Sequence, residues 1–278
     1  MRATVLVDNI KNEELEAAGE WGLAIYIEHE GKKILLDTGS SDLFVTNARK
    51  LGISLEQVDF AVLSHAHCDH GGGMKEFFQE NSQATMYLQK SCGEDCYYKK
   101  LFVRSYVGLP KNILKTFHNR ITYVEGKKEV CDGVYLVPHT TEGLEKLGKR
   151  DNMYRKTKWG LRPDDFSHEH SLVIDTDSGL VIFNSCSHGG AVNIIREVRQ
   201  AFPHKEVYGL IGGFHLFGKP ADYVRQLGQE IKDTGISYVC TGHCTGKHAY
   251  KVLKEELGDT LHQLQVGLVI GYCSHVSL

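Results

Sequence analysis

The 278-residue chain has no apolar run long enough to span a bilayer, so a helical membrane protein is not expected. Its N-terminus, MRATVLVDN, lacks the basic start, sustained apolar stretch and small-residue cleavage site of a secretion signal, and no signal peptide is expected. Excess charge is nearly absent: 32 Lys and Arg against 35 Asp and Glu leave a net charge of -3. Such a balance gives no global attraction to nucleic acid or to an anionic membrane surface, and a small-molecule substrate is the default partner. There is no run rich in Pro, Ser or Gly that reads as a linker, and no internal repeat, so one domain over residues 1–278 is preferred. Eight cysteines are scattered through a chain too large to need disulfide staples, which points to a reducing cytoplasm. Cys92 and Cys96, in CGEDC, have no second such pair nearby to complete four zinc ligands and read as plain thiols.

With 41% hydrophobic and 24% charged residues the chain can bury a proper core. ATVLVD and LAIYIEHEGKKILLDTG read as strands, the latter a hairpin turning at HEGK. Residues 41–52 place Phe44, Val45, Ala48 and Leu51 at helical spacing, and the short strand FAVLS follows. Strands and helices then alternate in two halves of similar order, which predicts two sheets face to face with helices outside. Two stretches, near 90–120 and 142–166, have little periodicity and are expected to be irregular insertions, the second carrying seven Lys or Arg.

The chemistry concentrates in SHAHCDHGGG, residues 64–73. Three histidines and an aspartate fall within six positions, after an apolar strand and before three glycines, where a loop presents functional groups. His65 and His67 can chelate one ion if the loop turns between them, while Asp69 and His70 face a neighbouring position. Imidazole nitrogens suit zinc and several transition metals, and a carboxylate adds tolerance for iron or manganese. Cys68 is out of phase with these histidines and is expected to point away.

The motif and the order of elements resemble the metallo-β-lactamase fold superfamily, whose signature His-x-His-x-Asp-His stands here as His65, His67, Asp69 and His70. The resemblance implies a four-layer αββα sandwich of the α/β class. Asp37, in the strand-ending DTG, matches the family's aspartate that supports the metal loop from below; read alone it fits a helix cap equally well. More narrowly, GLAIYIEHEGKKILLDTG, IGGFHL and GHCTG resemble one branch, related to the dihydropterin ribofuranosylaminobenzene phosphate synthases. Two departures stand out. Ser185 replaces the glycine of that branch's Gly-Cys-Ser-His, and Trp21 replaces the histidine of its Glu-His-Gly-Leu.

In the wider superfamily an aspartate at the later strand end bridges two metals; this chain has Cys186 there and no carboxylate, so one ion or two is left open. His188 is the favoured further ligand, with Cys186, His168 and His170 as competitors, and His243 matches the last ligand. His215 is a ligand, an acid or a substrate contact. His29, His118, His204, His262 and His275 have no such context. The resemblance thus implies one or two divalent ions, zinc first and iron or manganese as alternatives. The activity implied is a metal-dependent hydrolase in which Asp69 and His215 serve catalysis on a small, phosphorylated or pterin-like substrate. Lys146, Lys149, Arg150, Arg155, Lys156, Lys158 and Arg162 are candidates to grip phosphate. Iron-dependent redox chemistry and metal-stabilised binding without turnover are the alternatives. Nucleic acid is not expected, since fold relatives acting on it usually add a binding domain or a long basic arm.

Overall fold

The computed structural model describes residues 1–271; Cys273 and His275 lie outside the described residues. Two seven-stranded mixed sheets carry the fold. In spatial order the first runs Val269–Gly271, Arg2–Val7, Ala24–His29, Lys32–Leu36, Phe60–Val62, Thr85–Gln89 and Ile121–Val124. The second runs Leu261–Gln263, Tyr238–Thr241, Val207–Ile211, Gly179–Phe183, His170–Thr176, Val134–Pro138 and Lys128–Cys131.

Strand alternation divides the apolar residues between two faces of each sheet. Ile34 and Leu36 point to the partner sheet, where they pack with Val5, Ile25 and Val62 against Leu172, Ile174, Val181 and Phe183. Leu35, between them, joins Leu6, Ala61 and Leu63 beneath Phe44, Met74 and Phe77 of the helices Leu43–Lys50 and Met74–Glu80. On the far side, Val173, Ile182, Leu210 and Val239 are covered by Ile194, Ile195, Val198, Val224 and Leu253 from the helices Ala191–Ala201, Ala221–Asp233 and Lys247–Leu257. The result is the expected αββα sandwich. Each such side chain, fully buried, contributes about 1.5–3 kcal/mol relative to exposure, so these three clusters hold the layers together.

The two weakly periodic stretches differ from expectation. They supply a third, four-stranded antiparallel sheet, Gly160–Pro163, Met153–Thr157, Cys96–Lys100 and Val103–Tyr106, together with the helix Glu145–Arg150. Its strands are short and largely solvent-facing, so their sequences show charge and aromatics rather than alternation; a small cluster of Leu144, Met153 and Phe166 anchors them. Among the described residues, no helix is long and apolar enough to cross a membrane.

Parallel pairing sends several strands to one edge of the sandwich. Lys32–Leu36 runs parallel to Phe60–Val62, and Gly179–Phe183, Val207–Ile211 and Tyr238–Thr241 run parallel to one another. The segments following them are Asp37, residues 63–70, residues 184–188, residues 212–215 and residues 242–243. Asp37, Ser187, His215 and His243 all adopt left-handed backbone conformations, with φ of 59°, 52°, 48° and 46°. Non-glycine residues held there carry strain that surrounding structure must offset, and such strain gathers at functional sites.

Candidate metal centre

Asp37 organises the loop from below. Its Oδ1 accepts the Ser64 backbone N–H at 2.7 Å, and its Oδ2 accepts the Ser64 hydroxyl at 2.7 Å and His70 Nδ1–H at 2.8 Å. The Ser64 hydroxyl, having donated to Asp37, accepts from His65 Nδ1, 2.8 Å away. Both histidines therefore carry their proton on Nδ1 and keep an Nε2 lone pair facing away from Asp37. Across the cleft, His243 Nδ1 lies 3.0 Å from Asn9 Oδ1, an acceptor, which fixes the same tautomer. Asn9 Nδ2 donates to the His243 carbonyl at 3.1 Å, and Asp8 accepts the His243 N–H at 3.0 Å. Burial raises the Asp8 carboxyl to about 7.

The glycines after the motif let the loop close. A Cβ on Gly72 or Gly73 would press into the backbone oxygens of Ser40 or Ser41, so the three-glycine run permits the chain after His70 to pack against the segment following Asp37.

Two groups of donors converge. His65, His67 and His188 bring ring nitrogens to within 4.8 Å of one another, and all three side chains are buried. Burial lowers all three histidines, His67 to about 3, so they stand as neutral imidazoles. His65 Nε2, His67 Nε2 and both nitrogens of His188 are buried without a hydrogen-bond partner. Buried orphaned nitrogens of this kind cost about 1–3 kcal/mol each unless a cation uses them.

The second group is Asp69, His70 and His243. His70 Nε2 and His243 Nε2 are 3.2 Å apart, and Asp69 Oδ2 lies 3.7 Å and 3.4 Å from them. With Nδ1 of both rings donated elsewhere, the two Nε2 atoms face each other beside a carboxylate, an arrangement that asks for positive charge, supplied by a proton or a cation. The electrostatics agree. Burial would lower His243, but Cys244 and Asp69 outweigh it and raise the imidazole to about 9; burial would raise Asp69, but His70 and His243 hold it below the ordinary carboxylate range.

Of the competitors for the third ligand, His168 stands with His67, Cys96 and Asp164 in a buried group whose ligand atoms lie within 4.8 Å of one another, but the ring nitrogens of both His168 and His170 already have partners. His168 accepts from Ala66 N–H at 3.1 Å through Nδ1 and meets Asp164 Oδ2 at 3.1 Å through Nε2. His170 donates to the Leu63 carbonyl at 2.9 Å and faces the Gln89 amide at 3.1 Å. Both brace the loop from behind. Cys186 instead lies between the donor groups, its Sγ 3.2 Å from His70 Nε2 and 3.4 Å from Cys244 Sγ. His215 is at the rim, its ring 4.5 Å from that of His188 and its Nδ1 unpartnered. Cys68 is exposed and borders a cavity of about 220 Å³ over the site, lined also by Trp21, His67, Asp69, His188 and His215.

Several supports have no signal in the local sequence. Buried Glu169 accepts the backbone N–H groups of His188 and Gly189, each at 3.0 Å. His139 lies between Glu169, at 2.5 Å, and Glu197, at 2.9 Å, so the His188 loop is tied to the helix Ala191–Ala201. Trp21 Nε1–H donates to Asp69 Oδ2 at 3.0 Å. Replacing Trp21 by Phe removes that donor while keeping an aromatic ring, and is expected to weaken divalent-metal affinity roughly 10-fold, as loss of a ligand-orienting partner does. Competition against a chromophoric chelator measures it; unchanged affinity would make the contact incidental.

The sequence pattern of the Metallo-beta-lactamase superfamily matches residues 22–192, which includes the motif, Asp37 and His188. The chain belongs to the metallo-beta-lactamase superfamily. Over 96% of its length it is 29% identical to 98% of the 7,8-dihydropterin-6-methyl-4-(beta-D-ribofuranosyl)-aminobenzene-5'-phosphate synthase of Methanocaldococcus jannaschii. Its structure is similar, at a TM-score of 0.83 and 27% identity over 99% of this chain and 100% of the other, to Tm1679, a metal-dependent hydrolase of the beta-lactamase superfamily. A diphosphatase from the PhnP family shares the fold at a TM-score of 0.55 and 12% identity over 98% of this chain and 97% of the other. For a metallo-beta-lactamase superfamily member, divalent-metal binding is the general rule, and the buried histidine, cysteine and aspartate groups here fit it.

Proposed function

We propose that this superfamily member is a metal-dependent hydrolase of a small, phosphorylated or pterin-like compound. The observation that carries the reading is the set of Nε2 atoms on His65, His70 and His243, turned to one cleft by the bonds that engage each Nδ1. His65, His67 and His188 would hold one divalent ion, and Asp69, His70 and His243 a second, zinc being the ion such a donor set suits best. Bound there, such ions supply hydroxide near neutral pH and polarise a carbonyl or phosphoryl oxygen.

The remaining chemistry belongs to the chain. Asp69, oriented by Trp21, holds a negative oxygen in the cleft that can align an attacking water through a hydrogen bond. His215, half-buried with Nδ1 unpartnered, is the group available to donate a proton to a departing oxygen or nitrogen. Of the seven basic residues expected to grip phosphate, Arg150 shares a cavity of about 130 Å³ with His188 and His215, its guanidinium held by both oxygens of Asp151 and by the Tyr223 hydroxyl, while Arg155 is engaged by Asp95 and the Ser91 carbonyl. Arg150 thus borders the cleft, and a phosphate there would compete with Asp151 for it. The named activity of the archaeal synthase supports a phosphorylated, pterin-like substrate class.

A panel of phosphomonoesters, phosphodiesters and carboxylic esters, run with metal-loaded protein and a His67→Ala control, tests the reading. Turnover of at least one class that disappears in the control is expected. Tight ligand binding without turnover, or stoichiometric iron with oxygen consumption, would overturn it.

A further inference from the structure

The Cys186 thiol is surrounded in a way an ordinary buried cysteine is not. Its Sγ shares one donor group with His65 and His70, another with His188 and His215, and a third with His243 and Cys244, each with ligand atoms within 4.8 Å of one another. It is the atom common to all three. The nearest neighbour, His70 Nε2 at 3.2 Å, has only a lone pair to offer, because its Nδ1–H is given to Asp37.

A thiol has one proton and can satisfy one such acceptor. Around this sulfur, however, stand the Nε2 lone pair of His70, the unpartnered Nε2 of His65 and the one lone pair of His188, whose ring has neither nitrogen partnered, with His243 Nε2 beside His70. A single S–H leaves most of them orphaned in a buried cleft. A thiolate shared between two cations satisfies them together, since each cation can draw on nitrogens from its own side of the sulfur. The strand end fixes its position: Gly179–Phe183 leads into residues 184–186, and Asn184 Oδ1 accepts the Ser187 N–H at 2.7 Å, turning the chain immediately after Cys186.

We propose that Cys186 is a metal ligand whose thiolate bridges the ion held by His65, His67 and His188 and the ion held by Asp69, His70 and His243. The proposal rests on the metal-centre reading above and adds a sulfur donor to it. A thiolate in this place selects borderline-soft divalent ions such as zinc, cobalt or ferrous iron over magnesium or calcium. Metal binding releases the thiol proton to solvent, so uptake is accompanied by acidification. Cys244, 3.4 Å from the same sulfur, accepts the His215 N–H at 3.2 Å and flanks the bridge without occupying it.

Cobalt(II) tests this directly. Chelator-stripped full-length protein, kept reduced and anaerobic, is titrated with cobalt(II) while near-ultraviolet and visible absorption are followed. A sulfur-to-cobalt charge-transfer band is expected with the visible d–d bands in wild-type protein, lost in Cys186→Ser and retained in Cys244→Ser and Cys68→Ser. Cys186→Asp is expected to bind cobalt without the band, which separates loss of sulfur from loss of fold; circular dichroism checks that each variant is folded. Visible d–d bands with no charge-transfer band in wild type would overturn the bridging thiolate and leave the metal-centre reading standing. A band that survives Cys186→Ser and vanishes in Cys244→Ser would overturn it equally. If wild-type protein binds no cobalt at all, the metal-centre reading falls and the bridge with it.

Discussion

Replacing His67 by alanine is expected to lower kcat/KM by roughly 10³-fold or more on whichever ester class the wild-type protein hydrolyses, about 4 kcal/mol of transition-state stabilisation. His67 Nε2 is buried, unpartnered and within reach of the His65 and His188 nitrogens, so alanine removes one of three donors and opens the shell to water. Folding should be little affected or improved, because the orphaned nitrogen is a burden in the absence of a cation. That combination distinguishes a ligand from a core histidine. A thermal melt of the metal-free variant alongside steady-state kinetics separates the two. Equal losses of stability and activity would assign His67 to packing.

The largest effect on stability is expected at His139, which lies far from the motif in sequence. It is buried with Glu169 and Glu197, and Glu169 in turn holds the backbone of His188 and Gly189. Replacing His139 by Gln leaves two carboxylates in a buried site without their cation, which typically costs about 3–5 kcal/mol. The pH dependence follows from the shifts. Burial would lower His139, but Glu169 and Glu197 outweigh it and raise the imidazole to about 10. Its contribution is therefore fully present below the unfolded value near 6.5 and is lost as pH rises through about 10. Burial would raise both glutamates, but His139 first among their partners draws them below the ordinary glutamate value of 4.5, so their contribution is present above that value and is lost as pH falls through the lowered one. Urea denaturation across pH should show the gap between wild type and His139→Gln widest between about pH 4.5 and 6.5 and narrowing toward pH 10 and toward strong acid. A gap independent of pH would mean the triad is not charged as described.

How much of this was legible in the sequence depends on how far each feature reaches along the chain. HAHCDH carries its donors within six positions and ends an apolar strand, so both spacing and context are local. His188 and His243 were expected from the resemblance to the superfamily, His188 with Cys186, His168 and His170 as competitors; both follow strands that the fold brings to the motif. Asp37 was legible as a strand-ending acid, and its bonds to Ser64 and His70 explain why an acid belongs there. The partners that lock tautomers and loops were not. Asn9 meets His243 across 234 residues, and His139 meets Glu169 and Glu197 across 30 and 58. Nothing near Asn9 or His139 distinguishes it from an ordinary polar residue until the sheets are assembled. Trp21 was visible as a departure from its branch, but its indole N–H on Asp69 required the structure. The basic stretch 142–166 looks irregular because its short strands lie outside the main core and face solvent, so no apolar alternation marks them.

Strand-end histidines that form a metal centre with Asp69 must take up metal stoichiometrically. Titration of zinc into chelator-stripped protein by calorimetry, with metal content checked by elemental analysis, addresses it most directly. Two donor sets predict two tightly bound equivalents in wild type, with His67→Ala and His243→Ala each losing one. Wild-type protein that takes up no zinc tightly, or variants at both positions that bind as wild type does, would contradict the account.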